Sequence, residues 1–473
     1  MFFSNKCEKT YSVINLDDPL AWTKANSDEI LMLQCLQGNI LKGHGRHFTA
    51  NIFFSFGLQN EQESRRVLRE LANYHLTSAH KQLLDSKHFN ETGESGGKFC
   101  HLALTAKGYR ALGLDHLAPQ DRDFQLGMQS ADSIYSLCDP ELEHWEPAFQ
   151  GDIHGILLVA NGSEDETTQN QDELTELLQN VGCNIIHVQR GKAIFNDADE
   201  GIEHFGYVDG RSQPLMLVED IEAESETSGS SRWNPAFSLK TALVKDPGVY
   251  DDVSYGSFFI FRKLEQFVRG FKNREDEIAE ILGFEGEQSE LAGAMIVGRF
   301  EDGTPVTMSD EARNLKPPND FNYEGDPGNR CPFHAHIRKV NPRGSSGTKE
   351  RSHIMARRGI PFEDKPRSAD FEEFPENGVG LLFMAYNSNI DQQFKFVQQN
   401  WANNTNFPVE PSGTHGIDPI IGQGVNEPHD QKMPKEWDNP AKGTNDNCPF
   451  AGFVKMRGGE YFFSPSLTFL KNL

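Results

Sequence analysis

Apolar residues along the chain fall into short dense runs separated by segments whose apolar positions recur with helical spacing. FTANIFFSF (48–56) is rich in aromatic and β-branched residues and reads as a buried strand. In EQESRRVLRELANYHL, which comes soon after, Val67, Leu68, Leu71 and Tyr74 share one helical face. HLALT (101–105), DIHGILLVA (152–160) and CNIIHVQRG (183–191) read as further strands. DELTELLQNV supplies a helix through Leu174, Leu177 and Leu178 before the last of them. Set in order, these elements run βαββαβ.

The second half repeats this grammar. GSFFIFRKL (256–264) predicts a strand, and REDEIAEILG a helix through Ile278, Ile281 and Leu282 that stops at Gly283. Another helix is expected over 287–297, a strand over VGLLFMAYN (379–387), an amphipathic helix over 391–404 and a final strand over EYFFSPS (460–466). The expected fold class is α+β: two tandem ferredoxin-like modules, each an antiparallel sheet with helices on its outer face. EAESETSGSS (222–231) is acidic and Ser-rich, which divides the chain into an N-terminal module 1–221, a linker 222–250 and a C-terminal module 251–473. Two long stretches, 300–378 and 405–459, are rich in Gly, Pro, Asn and charge, and irregular stretches of that length in a compact protein are usually functional or disordered.

Composition narrows the partners. A chain of 473 residues exceeds one ordinary core, in keeping with two modules. Its 34 Phe far outnumber 10 Tyr and 5 Trp, enough for an aromatic core. The net charge of -25, from 45 basic and 70 acidic side chains, disfavours nucleic acid and anionic membrane surfaces as partners. No run approaches the roughly 18 apolar residues of a membrane helix, and MFFSNKCEKTYSVINLDD lacks the basic and apolar regions of a secretory leader. The cysteines at 7, 35, 100, 138, 183, 331 and 448 are scattered and never in C-x-x-C spacing, which fits reduced thiols in a cytoplasm.

Three stretches carry candidate chemistry. FGYVDGRSQP (205–214) sets Asp209 on a glycine-bracketed bend, where the plain reading is a turn. CPFHAHIRKVNPR (331–343) holds His334 and His336 one residue apart. In an extended backbone both imidazoles face one side, a spacing used for metal ligation; in a helix they diverge by about 200° and one alone could serve a site. RSHIMARRGIPF (351–362) offers adjacent arginines among Ile354, Met355, Ile360, Pro361 and Phe362, so the segment reads as passing through the interior, where a guanidinium faces an anion or developing negative charge.

Taken together the chain resembles the dye-decolorizing peroxidase family. FGYVDGRSQP matches that family's G-x-x-D-G signature, HIRKVNPR its proximal-histidine segment and MARRGIPF its distal-arginine segment. QGNILKGHGRHFTANIFF (37–54) is similar to the opening region of the larger, cyanobacterial and fungal-like members. The resemblance implies a haem b (iron protoporphyrin IX) bound in the C-terminal half, with His336 as iron ligand and Asp209 and Arg357 as the distal pair. Arg343 would face a haem propionate, and Leu381 and Phe383 would wall the pocket. It implies oxidation of bulky aromatic reductants, such as anthraquinone dyes and phenols, by hydrogen peroxide through a ferryl intermediate. Asp391 or Asn404 is the expected acceptor for the second N–H of His336, since a ligating imidazole usually donates it. Two other readings compete: a haem carrier or sensor on the same scaffold, and a non-haem metal hydrolase built on His334 and His336.

Overall fold

The computed structural model describes residues 14–57, 60–313, 316–347, 349–364, 374–408, 414–424 and 431–473. Residues 1–13 of the opening segment read as leaderless, Cys7 among them, lie outside the described residues.

The expected strands form in both halves. In the first, β1 (Phe48–Ser55), β2 (Phe99–Leu104), β3 (Gly155–Asn161) and β4 (Asn184–Lys192) pair antiparallel in the order β2-β3-β1-β4. Helix α1 (Glu61–Tyr74) connects β1 toward β2, and α2 (Glu164–Gln179) connects β3 to β4. In the second half, β5 (Tyr255–Gln266), β6 (Ile360–Glu363), β7 (Val379–Asn387) and β8 (Val454–Ser464) take the equivalent order β6-β7-β5-β8, and α3 (Val268–Leu282) follows β5. This is the ferredoxin-like arrangement, used twice. A short helix, α4 (Glu290–Val297), packs behind α3.

The two sheets are one. β8 pairs with β2 through Phe463 and Leu104, and at the opposite edges Gln189 of β4 donates to Asp364, just past β6, at 3.0 Å. Alternation on the strands turns a phenylalanine cluster inward between the halves. Phe53 of β1 meets Phe261 of β5 edge-on at 4.9 Å between ring centres, with Phe462 of β8 at 6.4 Å. The phenylalanine excess of the sequence is spent on this shared core, where edge-to-face pairs add to the burial of large apolar area.

Some expectations shift. Tyr74, expected on the buried face of α1, is the last residue of the helix and is 80% exposed, while Val67, Leu68 and Leu71 are buried. The acidic stretch at 222 begins as helix, Val218–Ser228, with no buried residue, so its charge reflects a solvent-facing helix. The amphipathic helix over 391–404 winds as two π-helical segments, Asp391–Lys395 and Val397–Ala402.

Candidate active site

The segment 201–209 is a small hairpin. Asp209 donates its N–H to Gly201 O at 2.9 Å, Ile202 bridges Val208, and Glu203 and Tyr207 pair through Glu203 N–H to Tyr207 O at 3.1 Å. Gly206 and Gly210 have φ of 98° and 80°, the left-handed region that a side chain disfavours, so the two glycines allow the bend that carries Asp209. The turn expected from the sequence is present, and it sets Asp209 on the wall of a cavity of about 530 Å³ between the halves.

His336 lines the same cavity at the first turn of α5 (His336–Val340). Buried cations seat that short helix: Arg338 reaches Asp326 at 3.1 Å, and Lys339 donates to Asn404 O at 2.6 Å and Trp401 O at 3.2 Å. The imidazole Nδ1 lies 2.9 Å from Asp418 Oδ2 and 3.1 Å from Oδ1. Asp418 is fully buried and also accepts the N–H groups of Ile420 and Ile421 at 2.8 and 3.0 Å. Burial alone would raise its pKa, but His336 and these two amides outweigh burial and hold the carboxyl below its ordinary range. With Nδ1 committed to Asp418, Nε2 is the nitrogen left for a ligand.

The acceptor for His336 is therefore Asp418, and neither Asp391 nor Asn404 takes that place. Asp391 is on the surface, 4.0 Å from Lys395, and the Asn404 carbonyl serves Lys339. No local pattern pointed to Asp418, which stands 82 residues from His336 in an irregular Gly-rich stretch. His334 diverges from its neighbour and packs inside, its pKa pushed down to about 3 by burial and the charge of Lys339. Among the described residues no group of three His, Cys, Asp or Glu side chains could hold a metal ion, and His336 lines the cavity while His334 does not.

Arg357 sits on a two-residue strand, Ala356–Arg357, that pairs with Ala385 and Tyr386 of β7. Its peptide N–H donates to Gln213 Oε1 at 3.0 Å and its Nη2 to Arg211 O at 3.1 Å, so the Asp209 loop grips it from the other half. Burial lowers its pKa, and the nearby charge of Asp209 opposes that shift. Arg343 is buried, stacked over Phe321 at 3.9 Å, and donates to Asn319 O, Phe321 O, Asn319 Oδ1 and Ser212 Oγ at 2.5–2.8 Å. Arg299, missed in the sequence, donates to Gly303 O and Pro318 O at 2.7 and 2.9 Å and to the same Ser212 hydroxyl at 3.2 Å. Burial depresses both guanidiniums, with the charge of Arg299 adding to it at Arg343 and that of Arg211 at Arg299. Among the described residues none of Arg299, Arg343 and Arg357 forms an ion pair, so this side of the cavity presents cationic charge in need of an anion.

Leu381 and Phe383 alternate with the buried Leu382 and Met384 along β7 and line the cavity with Ile337 and Val340. The cavity thus combines an apolar slot, one imidazole backed by a carboxylate, an acid beside a guanidinium, and unpaired arginines. Asp209, His336, Arg343, Arg357, Leu381 and Phe383 all line it, while His334, Asp391 and Asn404 do not.

Comparison with known proteins agrees in extent. Residues 36–193 match a family described as the DyP dimeric alpha+beta barrel domain, and residues 286–408 match the Dyp-type peroxidase C-terminal family. The multifunctional dye peroxidase DyP2 of Amycolatopsis sp. is 43% identical over 476 residues, which cover 97% of this chain and all of that protein. Its solved structure superposes with a TM-score of 0.91 at 41% identity, covering 97% and 100% of the two chains. The DyP-type peroxidase of Anabaena sp. gives a TM-score of 0.89 at 37% identity, with 96% and 97% covered. A dye-decolorizing peroxidase solved in complex with 2,6-dimethoxyphenol is 27% identical, with a TM-score of 0.75 over 93% of this chain and 98% of its own.

Proposed function

The chain belongs to the dye-decolorizing peroxidases, and we propose that its cavity holds haem b, with His336 as the residue that would ligate the iron and Asp209 and Arg357 as the residues that act on hydrogen peroxide. The observation that carries this reading is the His336–Asp418 pair opening on a cavity where, among the described residues, Arg299, Arg343 and Arg357 form no ion pair. A planar apolar group bearing carboxylates and a ligand-accepting metal satisfies all of these features together. Arg343 and Arg299 suit the propionates as charge-assisted donors, and Leu381 and Phe383 suit the ring faces or edges.

When bound, the haem supplies the iron that reacts with peroxide and relays its oxidising equivalents to a reductant. The chain's own residues supply the rest. Asp418 holds the Nδ1 proton of His336, which fixes the tautomer and makes the ligating nitrogen more basic. Asp209 takes a proton from one peroxide oxygen and returns it to the other. Arg357, already fixed by Gln213 and Arg211, faces the negative charge that builds on the departing oxygen, with no reorganisation at that moment. Aromatic reductants follow from the family, and the phenol bound by a relative supports that class here. The six described cysteines are all free, which supports a reducing compartment.

Visible spectroscopy tests the reading: purified protein supplied with haem should show a Soret band that changes on addition of peroxide. Absence of the band from protein that is otherwise folded would sink it. Carboxylates as a class stay ionised in acid where an imidazole is protonated. Dye oxidation is therefore expected to be fastest in acid, and a steep loss between pH 7 and pH 4 with haem retained would argue against Asp209. The Asp418 carboxylate keeps its contribution in acid too. A carboxyl whose folded pKa lies below its unfolded value stabilises above the ordinary range, and that stabilisation fades only as pH falls through the depressed value. Asp418→Asn is expected to weaken haem retention by about 10- to 100-fold, read as the rate of haem transfer to excess apomyoglobin.

A further inference from the structure

Glu203 is a carboxylate of the cavity wall that the mechanism above does not use. The 201–209 hairpin pairs residue 203 with 207 and 201 with 209, so Glu203, Tyr207 and Asp209 project from one hairpin face, with Glu203 and Asp209 diagonal neighbours. Its two oxygens close the hairpin tip: Oε2 accepts the N–H of Phe205 at 2.8 Å and Oε1 that of Tyr207 at 3.0 Å. From β5 the side-chain amide of Gln266 donates to Oε2, while the Gln266 carbonyl oxygen is buried without a partner. Among the described residues no cation pairs with Glu203.

We propose that Glu203 is a positioning residue for Asp209: its carboxyl holds the hairpin tip closed and, by keeping or losing its proton, sets the charge beside which Asp209 and Arg357 work. This deepens the reading of Asp209 as the distal base and rests on it. Burial first, then the charge of Asp209, pushes the Glu203 pKa up to about 7 against the pull of its amide donors. Below that pH the carboxyl is neutral. Above it a second negative charge faces a wall where negative charge must develop on the departing peroxide oxygen, and opposes that step. The remaining groups that face it do not supply a compensating cation. They are Asp209 and Tyr207 on its own hairpin and the neutral Gln266 on β5. Behind Tyr207, whose hydroxyl donates to Glu275, the Lys272 ammonium is taken by Glu275 at 2.9 Å and Glu301 at 2.5 Å.

The test uses haem-loaded protein and compares Glu203→Gln, which keeps an acceptor for the hairpin amides but cannot ionise, with Glu203→Asp, which ionises but is too short to span both. The rate of the first spectral change after peroxide is followed from pH 5 to pH 9. With the group at about 7, roughly one-tenth of Glu203 stays neutral at pH 8, so the ratio of the E203Q rate to the native rate is expected to rise about tenfold from pH 5 to pH 8. E203D should keep an alkaline limb with its midpoint moved. Infrared spectra, without peroxide, should show a protonated-carboxyl stretch that fades between pH 6 and pH 8 in the native protein and is missing from E203Q. A ratio constant across pH, or an E203D midpoint identical to the native one, overturns the proposal. If E203Q does not fold, the E203D midpoint and the native infrared titration decide. Failure of the Asp209 reading looks different: Asp209→Asn would then leave the rate unchanged, while the Glu203 band still titrated.

Discussion

Replacement of His336 by alanine is expected to give a folded protein that does not retain haem. The side chain contributes little to the core, because its ring faces the cavity and its one hydrogen bond is to Asp418. The α5 segment is held instead by Arg338 and Lys339 through Asp326, Asn404 and Trp401. Loss of an outer partner of a ligating histidine typically weakens metal binding 10- to 100-fold, so loss of the ligand itself is expected to exceed about 100-fold. The substitution also leaves the Asp418 carboxylate buried with its two amide donors alone, which destabilises the 416–421 turn. Gel filtration with absorbance at the Soret wavelength and at 280 nm reads both outcomes. A H336A protein that co-elutes with a full complement of haem would remove His336 from the proximal role, and His334, buried and turned away, would not replace it.

The second large effect concerns the distal pair. Asp209→Asn and Arg357→Leu are each expected to keep haem yet slow the reaction with peroxide. General acid–base transfer is worth about 10²- to 10⁴-fold, and one preorganised charge-stabilising donor about 10²- to 10³-fold. Because both act on one transition state, the double variant should lose much less than the product of the single losses. Stopped-flow rates at peroxide concentrations below saturation measure each. If one single variant were as fast as the native protein, the other would carry the step alone. Arg357→Leu has a second consequence, since a leucine cannot donate to Arg211 O and the Asp209 loop loses a tie to the Ala356–Arg357 strand.

Much of this was legible in the sequence because it is local. The strands announce themselves as dense apolar runs, and the glycines around Asp209 signal a bend that the backbone then adopts at Gly206 and Gly210. The alternation of Leu381 and Phe383 with Leu382 and Met384 is a period-2 pattern on a half-buried strand. What escaped is what depends on long-range closure. Asp418 lies in a stretch with no periodicity, and its meaning arises only when the turn after Gly416 folds beneath α5. Arg299 follows a helix and reads as an ordinary surface cation until its carbonyl partners Gly303 and Pro318 enclose it. The sheet joint between β2 and β8 rests on residues 359 positions apart, and no pattern within either strand specifies it.

Ser212 sits in a left-handed conformation at φ 66°, and its one hydroxyl accepts from Arg343 and Arg299 while it donates to Asn319. Three residues before it is Asp209, and the residue after it holds the Arg357 peptide. One short loop of the first half therefore serves as a common bearing for the anion-facing arginines and for the acid–base pair. In the proposed reading, cofactor capture and peroxide chemistry therefore depend on the same five residues, 209–213. A substitution at 209–213 is expected to disturb both together, whereas one at Leu381 or Phe383 alters the cavity wall without touching these hydrogen bonds.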